Sequence, residues 1–261
     1  MSDAGADARY LNGAHALITG GGTGIGAAIA VRLAGAGARI TVAGRRPEPL
    51  RKIADGLTAA QAVPFDVTDE AAVEAGLATA TENFGPVDIL VNNAGAAESA
   101  PFGRTTTKTW RAMLEINLTG VFLVSRAVLP TMVERGWGRI VSIASTAGLK
   151  GYAYVAAYCA AKHGVIGMTR SLAIEVAQKG VTVNVVCPGY TETELLGGSV
   201  ANITDKTGMS EDEARAQLLE SNPQGRFVSP KEVAETAAWL VGPNTDAITG
   251  QAIVVAGGEV M

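Results

Sequence analysis

Short apolar runs alternate along this chain with longer stretches in which apolar residues recur at helical spacing. The runs predict strands over Ala14–Thr19, Arg39–Ala43, Ala62–Phe65, Ile89–Asn92, Arg139–Ser142, Thr182–Val186 and Ala252–Val255. Most are nearly continuous and rich in β-branched residues, the mark of strands buried on both faces of a parallel sheet. The longer stretches predict helices over Ile25–Gly35, Pro47–Leu57, Glu70–Phe84, Lys108–Glu134, Ala157–Lys179 and Pro230–Leu240. Strand–helix alternation implies right-handed βαβ units and helices on both faces of one sheet. The expected fold class is α/β, a single doubly wound domain over residues 1–261 with a seven-stranded parallel sheet. One polar stretch, Gly197–Asn222, breaks the pattern and carries a short predicted helix, Ser210–Leu219. It reads as a substrate lid at about residues 195–222, over the sheet edge where such folds bind ligands; a surface excursion is the alternative.

Glycine makes up 32 of 261 residues with no collagen period, so it points to turns and close backbone approaches. It clusters where the first strand meets the first helix, in Thr19-Gly20-Gly21-Gly22-Thr23-Gly24-Ile25-Gly26. Glycine there permits a tight turn and lets the backbone approach a pyrophosphate, while the helix N-terminus offers N–H groups to it.

Charge and cysteine content narrow the function classes. Lys plus Arg is 21 against 25 Asp plus Glu, a net charge of −4, so the basic footprint of a nucleic-acid binder is missing. The start, MSDAGADARYLNG, is acidic where a secretory leader is basic and then apolar. Every long apolar run is interrupted by charge before the ~20 residues of a membrane span. Two cysteines, Cys159 and Cys187, are too few for a disulfide scaffold and suit a reducing compartment, so a cytoplasmic location without membrane or nucleic-acid partners is expected. The two histidines, His15 and His163, belong to no cluster with metal-ligand spacing, so no metal is expected. His163 is expected to face away from the site, and His15 carries no functional reading.

The glycine spacing, Thr-Gly-x-x-x-Gly-Ile-Gly, resembles that of the short-chain dehydrogenase/reductase family, and later motifs agree along nearly the whole chain. Asn92-Asn93-Ala94-Gly95 ends the fourth strand, Asn117 lies in the next helix, and Ser145 follows the fifth strand. Tyr158-x-x-x-Lys162 opens a helix, and Pro188-Gly189 follows the sixth strand. The resemblance implies a Rossmann-type domain that binds a nicotinamide dinucleotide through Gly20, Gly22, Thr23, Gly24, Ile25, Gly26, Asn93, Ala94, Gly95, Tyr158, Lys162, Pro188 and Gly189. Asp66 and Val67 would line the adenine pocket, with helix capping as the alternative for Asp66. Thr191 through its backbone and Thr193 through its hydroxyl would hold the carboxamide. NAD(H)-binding relatives carry an acid at the end of the second strand, where this chain has Gly44, followed by Arg45 and Arg46. A guanidinium matches a phosphate bidentately, which favours NADP(H), with NAD(H) the alternative. The position before Gly24, basic in many NADP(H) relatives, is Thr23 here.

Tyr158 and Lys162 are four apart and share one helix face. A cation near a phenol lowers its pKa, so Tyr158 can act as general acid in ketone reduction and general base in alcohol oxidation. Ser145 would bond the substrate carbonyl; by resemblance, Asn117 would bend its helix and hold a water that reaches Lys162. The expected substrate wall includes Ala96, Ala97, Ser99, Ser145, Thr146, Ala147, Leu149, Tyr152, Tyr154 and Tyr190, small or apolar residues with several phenols. The expected activity is hydride transfer between NADP(H) and a ketone or secondary alcohol, with a 3-oxoacyl-CoA thioester as a candidate substrate. Carrier-bound substrates are disfavoured, because Pro130 and Ile174 stand where carrier-docking relatives place arginines. An NAD-dependent alcohol dehydrogenase and a non-catalytic NADP(H) sensor are the rival readings. The family also implies a homotetramer, with a dimer the alternative, built through the helices Lys108–Glu134 and Ala157–Lys179 and through the C-terminus.

Overall fold

Seven strands run parallel in one sheet of order β3-β2-β1-β4-β5-β6-β7. In the computed structural model, which describes residues 9–261, they are β1 (His15–Thr19), β2 (Arg39–Gly44), β3 (Ala60–Pro64), β4 (Ile89–Asn92), β5 (Gly138–Ile143), β6 (Val181–Pro188) and β7 (Ala252–Val255). Residues 1–8, most of the acidic start, lie outside the described residues. The inner strands match the apolar runs because side chains on both faces are buried, whereas the edge strands β3 and β7 are only partly so. Leu17 and Ile18, adjacent on β1, enter different layers of core. Ile18 packs with Ile29, Leu33, Ile40 and Leu240; Leu17 packs with Leu90, Leu123, Met132 and Ile140.

The crossovers are α1 (Gly24–Gly35), α2 (Pro47–Asp55), α3 (Glu70–Phe84), α4 (Thr107–Leu114) continuing into α5 (Gly120–Glu134), and α6 (Ala156–Val176). Three more helices, α7 (Glu194–Thr207), α8 (Glu211–Leu219) and α9 (Pro230–Leu240), separate β6 from β7. Strand order reverses between β1 and β4, which opens a crevice at their carboxyl ends.

Three expectations are corrected. The predicted helix Lys108–Glu134 is broken by one wide turn over Glu115–Thr119, whose backbone bonds run i to i+5. The cause is Asn117, whose Nδ2 donates to the Met113 carbonyl at 3.0 Å, taking the acceptor that its own backbone N–H would use. The whole helical run is long and apolar enough to cross a bilayer, but here it packs against α3 and α6. Second, the predicted helix to Lys179 ends at Val176, and β3 starts two residues earlier than expected and ends one earlier.

Third, the polar stretch holds α7 as well as the predicted short helix. Gly197-Gly198 disfavours helix locally, but Leu196 and Val200 on α7 pack with Ala214 of α8 and Phe227 in a small core of their own. Tertiary burial overrides local preference there. α8 starts on a capping box, in which Ser210 Oγ receives the Glu213 N–H and the Glu213 carboxylate receives the Ser210 N–H.

Candidate active site

A cleft of about 780 Å³ runs across the carboxyl ends of the strands, from Arg45 and Arg46 at one end to Tyr152 and Tyr190 at the other. Its middle is the glycine turn between β1 and α1. Gly20 (φ 64°) and Gly24 (φ 54°) are left-handed, and a Cβ on Gly20 would meet Asn93 Nδ2 at 2.8 Å. Asn93 donates from Nδ2 to the carbonyls of Thr19 (3.0 Å) and Gly20 (3.1 Å), pinning the turn. Gly26, expected at the cofactor, does not line the cleft. A Cβ there would lie 2.3 Å from Gly20 O, so its role is to let α1 lie against the turn.

The first turn of α1 carries no acidic residue, and its N-cap Thr23 makes no side-chain capping bond. Its N–H groups are thus unclaimed by side chains beside the cleft, which suits a pyrophosphate. At the end of β2, Gly44 brings no carboxylate, and Arg45 and Arg46 are exposed at the rim. That donor set fits an NADP(H) 2′-phosphate, to which a carboxylate would be hostile. Arg46 meets Glu194, the first residue of α7, at 3.1 Å. Asp66 and Val67 also line the cleft; Asp66 Oδ1 accepts from the Thr68 N–H (2.9 Å) and hydroxyl (2.8 Å), so it also fixes the turn before α3.

Beyond the turn, Asn117, Ser145, Tyr158 and Lys162 converge on the cleft. The wide turn presents the Asn117 amide to the strand end after β4. Its Nδ2 donates to Ala96 O (2.8 Å), and its Oδ1 accepts from Ala96 N–H (3.2 Å). Gly95 is small because a Cβ there would lie 2.7 Å from Asn117 Oδ1 and 3.7 Å from Lys162 Nζ. Ser145 follows β5 and accepts the Ala147 N–H at 3.1 Å.

Tyr158 is half-buried in the first turn of α6. Burial pushes its phenol up to about 12, against the lowering effect of a hydrogen bond with Ser145. Burial also holds the ammonium of Lys162 down, at about 8. Lys162 Nζ donates to Ile143 O at 2.8 Å and lies 5.6 Å from the centre of the Tyr158 ring. The expected lowering of the phenol by Lys162 is therefore not met; desolvation wins, and Tyr158 keeps its proton at neutral pH.

Ala94, Ala97, Ala147, Pro188, Gly189, Thr191 and Thr193 all line the cleft as expected. Tyr154 does not. It has a left-handed backbone (φ 68°) that turns it outward, and it is 66% exposed. Leu149 packs in a core beneath α6, and Ser99 bonds Asn202 of α7, so neither lines the cleft. His163 also lies outside it and bonds the Cys159 carbonyl within its own helix.

A model of the short chain dehydrogenase family matches residues 14–203. The chain belongs to the short-chain dehydrogenase family. Among solved members of this family, the actinorhodin polyketide ketoreductase with NADPH superimposes with a TM-score of 0.91 at 42% identity, covering 94% of this chain and 97% of that one. The 3-oxoacyl-acyl-carrier-protein reductase of Vibrio cholerae serotype O1 is 40% identical, over 96% of this chain and 99% of the relative. The D-beta-hydroxybutyrate dehydrogenase of Cupriavidus necator is 41% identical, over 88% and 91% respectively.

Sequence reasoning missed three contributors to this family site. Glu194 lines the cleft opposite Arg46, and Val155 lines it together with Tyr152 and Tyr190. Glu259, behind Tyr152, carried no local signal at all, because its partners are remote in sequence.

Proposed function

We propose that this short-chain dehydrogenase interconverts a ketone and a secondary alcohol with NADP(H), and that Tyr158 handles the proton. The observation that carries this reading is the convergence of Tyr158, Ser145, Asn117 and Lys162 on one cleft, with Lys162 Nζ 5.6 Å from the centre of the Tyr158 ring. When bound, the nicotinamide supplies the hydride in reduction and accepts it in oxidation. Ser145 orients the substrate carbonyl. As the carbonyl carbon gains the hydride, its π electrons move to oxygen, and that oxygen takes the Tyr158 proton. Lys162, still cationic at neutral pH, stabilises the resulting phenolate and holds the ribose hydroxyls. Asn117 shapes the wide turn from which a proton relay to Lys162 would run. The first turn of α1 holds the pyrophosphate, Arg45 and Arg46 the 2′-phosphate, and Thr191 and Thr193 the carboxamide.

The substrate end supports an uncharged ketone, since Ala97, Ala147, Tyr152, Val155 and Tyr190 line it without a formal charge. The named relatives act on 3-oxoacyl and polyketide groups and on a small hydroxy acid, so family membership alone leaves several ketone classes. Pro130 and Ile174 are both exposed and uncharged, which favours a CoA thioester or a free ketone over a carrier-bound one. The helices α7 and α8, over about residues 195–222, would serve as the lid. Exposed Phe122 on α5 and Ile174 on α6 support a homotetramer, in a reducing, cytoplasmic setting.

The test is titration of the purified protein with NADPH and NADH, followed by turnover on 3-oxoacyl-CoA thioesters and free ketones. Tight NADPH binding with turnover is expected. Preference for NADH would overturn the role given to Arg45 and favour the NAD-dependent alcohol dehydrogenase. Binding without turnover on any ketone would favour a sensor.

A further inference from the structure

Glu259 lies beyond the last strand, yet its side chain is only 1% exposed. Two left-handed glycines, Gly257 (φ 60°) and Gly258 (φ 92°), turn the tail inward after β7. The approach is close, since a Cβ on Gly257 would lie 2.5 Å from Asn222 Oδ1. The turn delivers the carboxylate to three donors from two other segments. Glu259 Oε1 accepts the Ser221 hydroxyl at 2.9 Å, the Lys150 ammonium at 3.2 Å, and the phenol of Tyr152.

Tyr152 lines the cleft, whereas Glu259 stands behind it. The phenol oxygen also lies 2.6 Å from Thr146 Oγ1. A phenol has one proton, and a carboxylate can only accept, so the Tyr152 proton goes to Glu259 and the Thr146 hydroxyl donates to Tyr152. Both polar functions of the phenol are thereby engaged by protein groups, Glu259 behind the cleft and Thr146 at its edge. The ring is fixed as well, with Tyr190 edge-on at 6.3 Å and Lys150 Nζ 4.8 Å from its centre. What Tyr152 offers a substrate is ring surface. The nearby ammonium is already matched by Glu259, so a carboxylate placed against this wall would find neither a free proton nor an unpaired cation.

We propose that Glu259 is a positioning residue that clamps Tyr152 as an apolar wall and so selects ketones with an uncharged flank over those bearing a carboxylate. This rests on the ketone-reductase reading of the same cleft. The probes are 3-oxobutanoate and its ethyl ester, which carry the same reacting ketone with and without the charge. The wild type is expected to prefer the ester at least about ten-fold in kcat/KM. Glu259→Gln frees the Lys150 charge, and the preference should shrink about ten-fold toward the free acid. Glu259→Leu unclamps the ring, so KM for the ester should rise about ten-fold with kcat reduced less than about three-fold. A double-mutant cycle of Glu259→Leu with Tyr152→Phe, read as Tm of the protein without added ligand, should be strongly non-additive. A wild type that prefers the free acid, or an unchanged preference in Glu259→Gln, would overturn the selection. An additive Tm cycle would overturn the clamp. If the wild type binds NADPH but reduces neither probe nor any other ketone, the activity reading fails and the selection with it, while the Tm cycle still decides the clamp.

Discussion

The Lys162 ammonium donates to the carbonyl oxygen of Ile143 at 2.8 Å, in a position only 4% exposed to solvent. The end of β5 thus fixes where α6 presents its charge. Burial lowers the Lys162 pKa from 10.5 to about 8, whereas the unfolded chain keeps the ordinary value. Between those values the unfolded state binds the extra proton, so this group adds stability as pH rises from 8 to 10.5; below 8 its burden is constant. Lys162→Met lacks this dependence. Thermal unfolding of both proteins from pH 7 to 10.5 should show the wild type gaining on the variant above pH 8. Parallel Tm curves would mean that the lysine is not desolvated as described.

Tyr158→Phe removes the proton but keeps the ring. Turnover of any accepted ketone should fall by about a thousand-fold, while NADPH affinity stays within about three-fold. Single-turnover kinetics with a fluorescence measurement of cofactor binding checks both halves. Activity within ten-fold of wild type would remove Tyr158 from its role.

The rim of the cleft makes an electrostatic prediction. Arg45→Ala should weaken NADPH binding about ten-fold or more and leave NADH nearly unaffected, because only NADPH carries the 2′-phosphate. Glu194 pairs with Arg46 across the rim, but both side chains are about two-thirds exposed, so the pair is weak. Glu194→Gln should tighten NADPH about two-fold at low salt, and the gain should vanish at high salt. Isothermal titration at two ionic strengths separates these outcomes.

His15 is fully buried on β1, with Nδ1 2.8 Å from Gly85 O and Nε2 2.8 Å from Thr41 Oγ1. A carbonyl only accepts, so Nδ1 carries the proton and the Thr41 hydroxyl donates to Nε2. The ring is neutral, and burial lowers its pKa below 6.5. The unfolded chain takes up a proton that the folded one resists, so stability is lost as pH falls through 6.5. His15→Gln does not titrate. Its Tm deficit against wild type at pH 7.5 should shrink at pH 5, and a deficit that stays constant would contradict the neutral assignment.

The sheet was legible because strands buried on both faces must be nearly continuously apolar, as Ala16-Leu17-Ile18 and Ile89-Leu90-Val91 are. The cleft was legible for a different reason. Its chemistry sits at strand ends and helix starts, and the order of the motifs around Gly20, Ser145, Tyr158 and Lys162 resembles that of a known family, which implies that they share one edge. What escaped the sequence depended on distant partners or on single backbone torsions. α7 exists because Leu196 and Val200 find Phe227, which no local pattern announces. Tyr154 was expected in the wall, and one left-handed residue turned it out. Glu259 had no reading in the sequence; it meets Tyr152 only after the sheet is complete.

The position of β7 also bears on how the protein is made. This strand pairs with β6 only after α7, α8 and α9 have been synthesised. A chain emerging from the ribosome therefore holds β6, buried at all eight positions in the finished sheet, with one edge unpaired until β7 arrives. Premature termination anywhere before Ala252 leaves that apolar edge permanently open. Such fragments should partition into aggregates or to chaperones rather than persist as partly active enzymes.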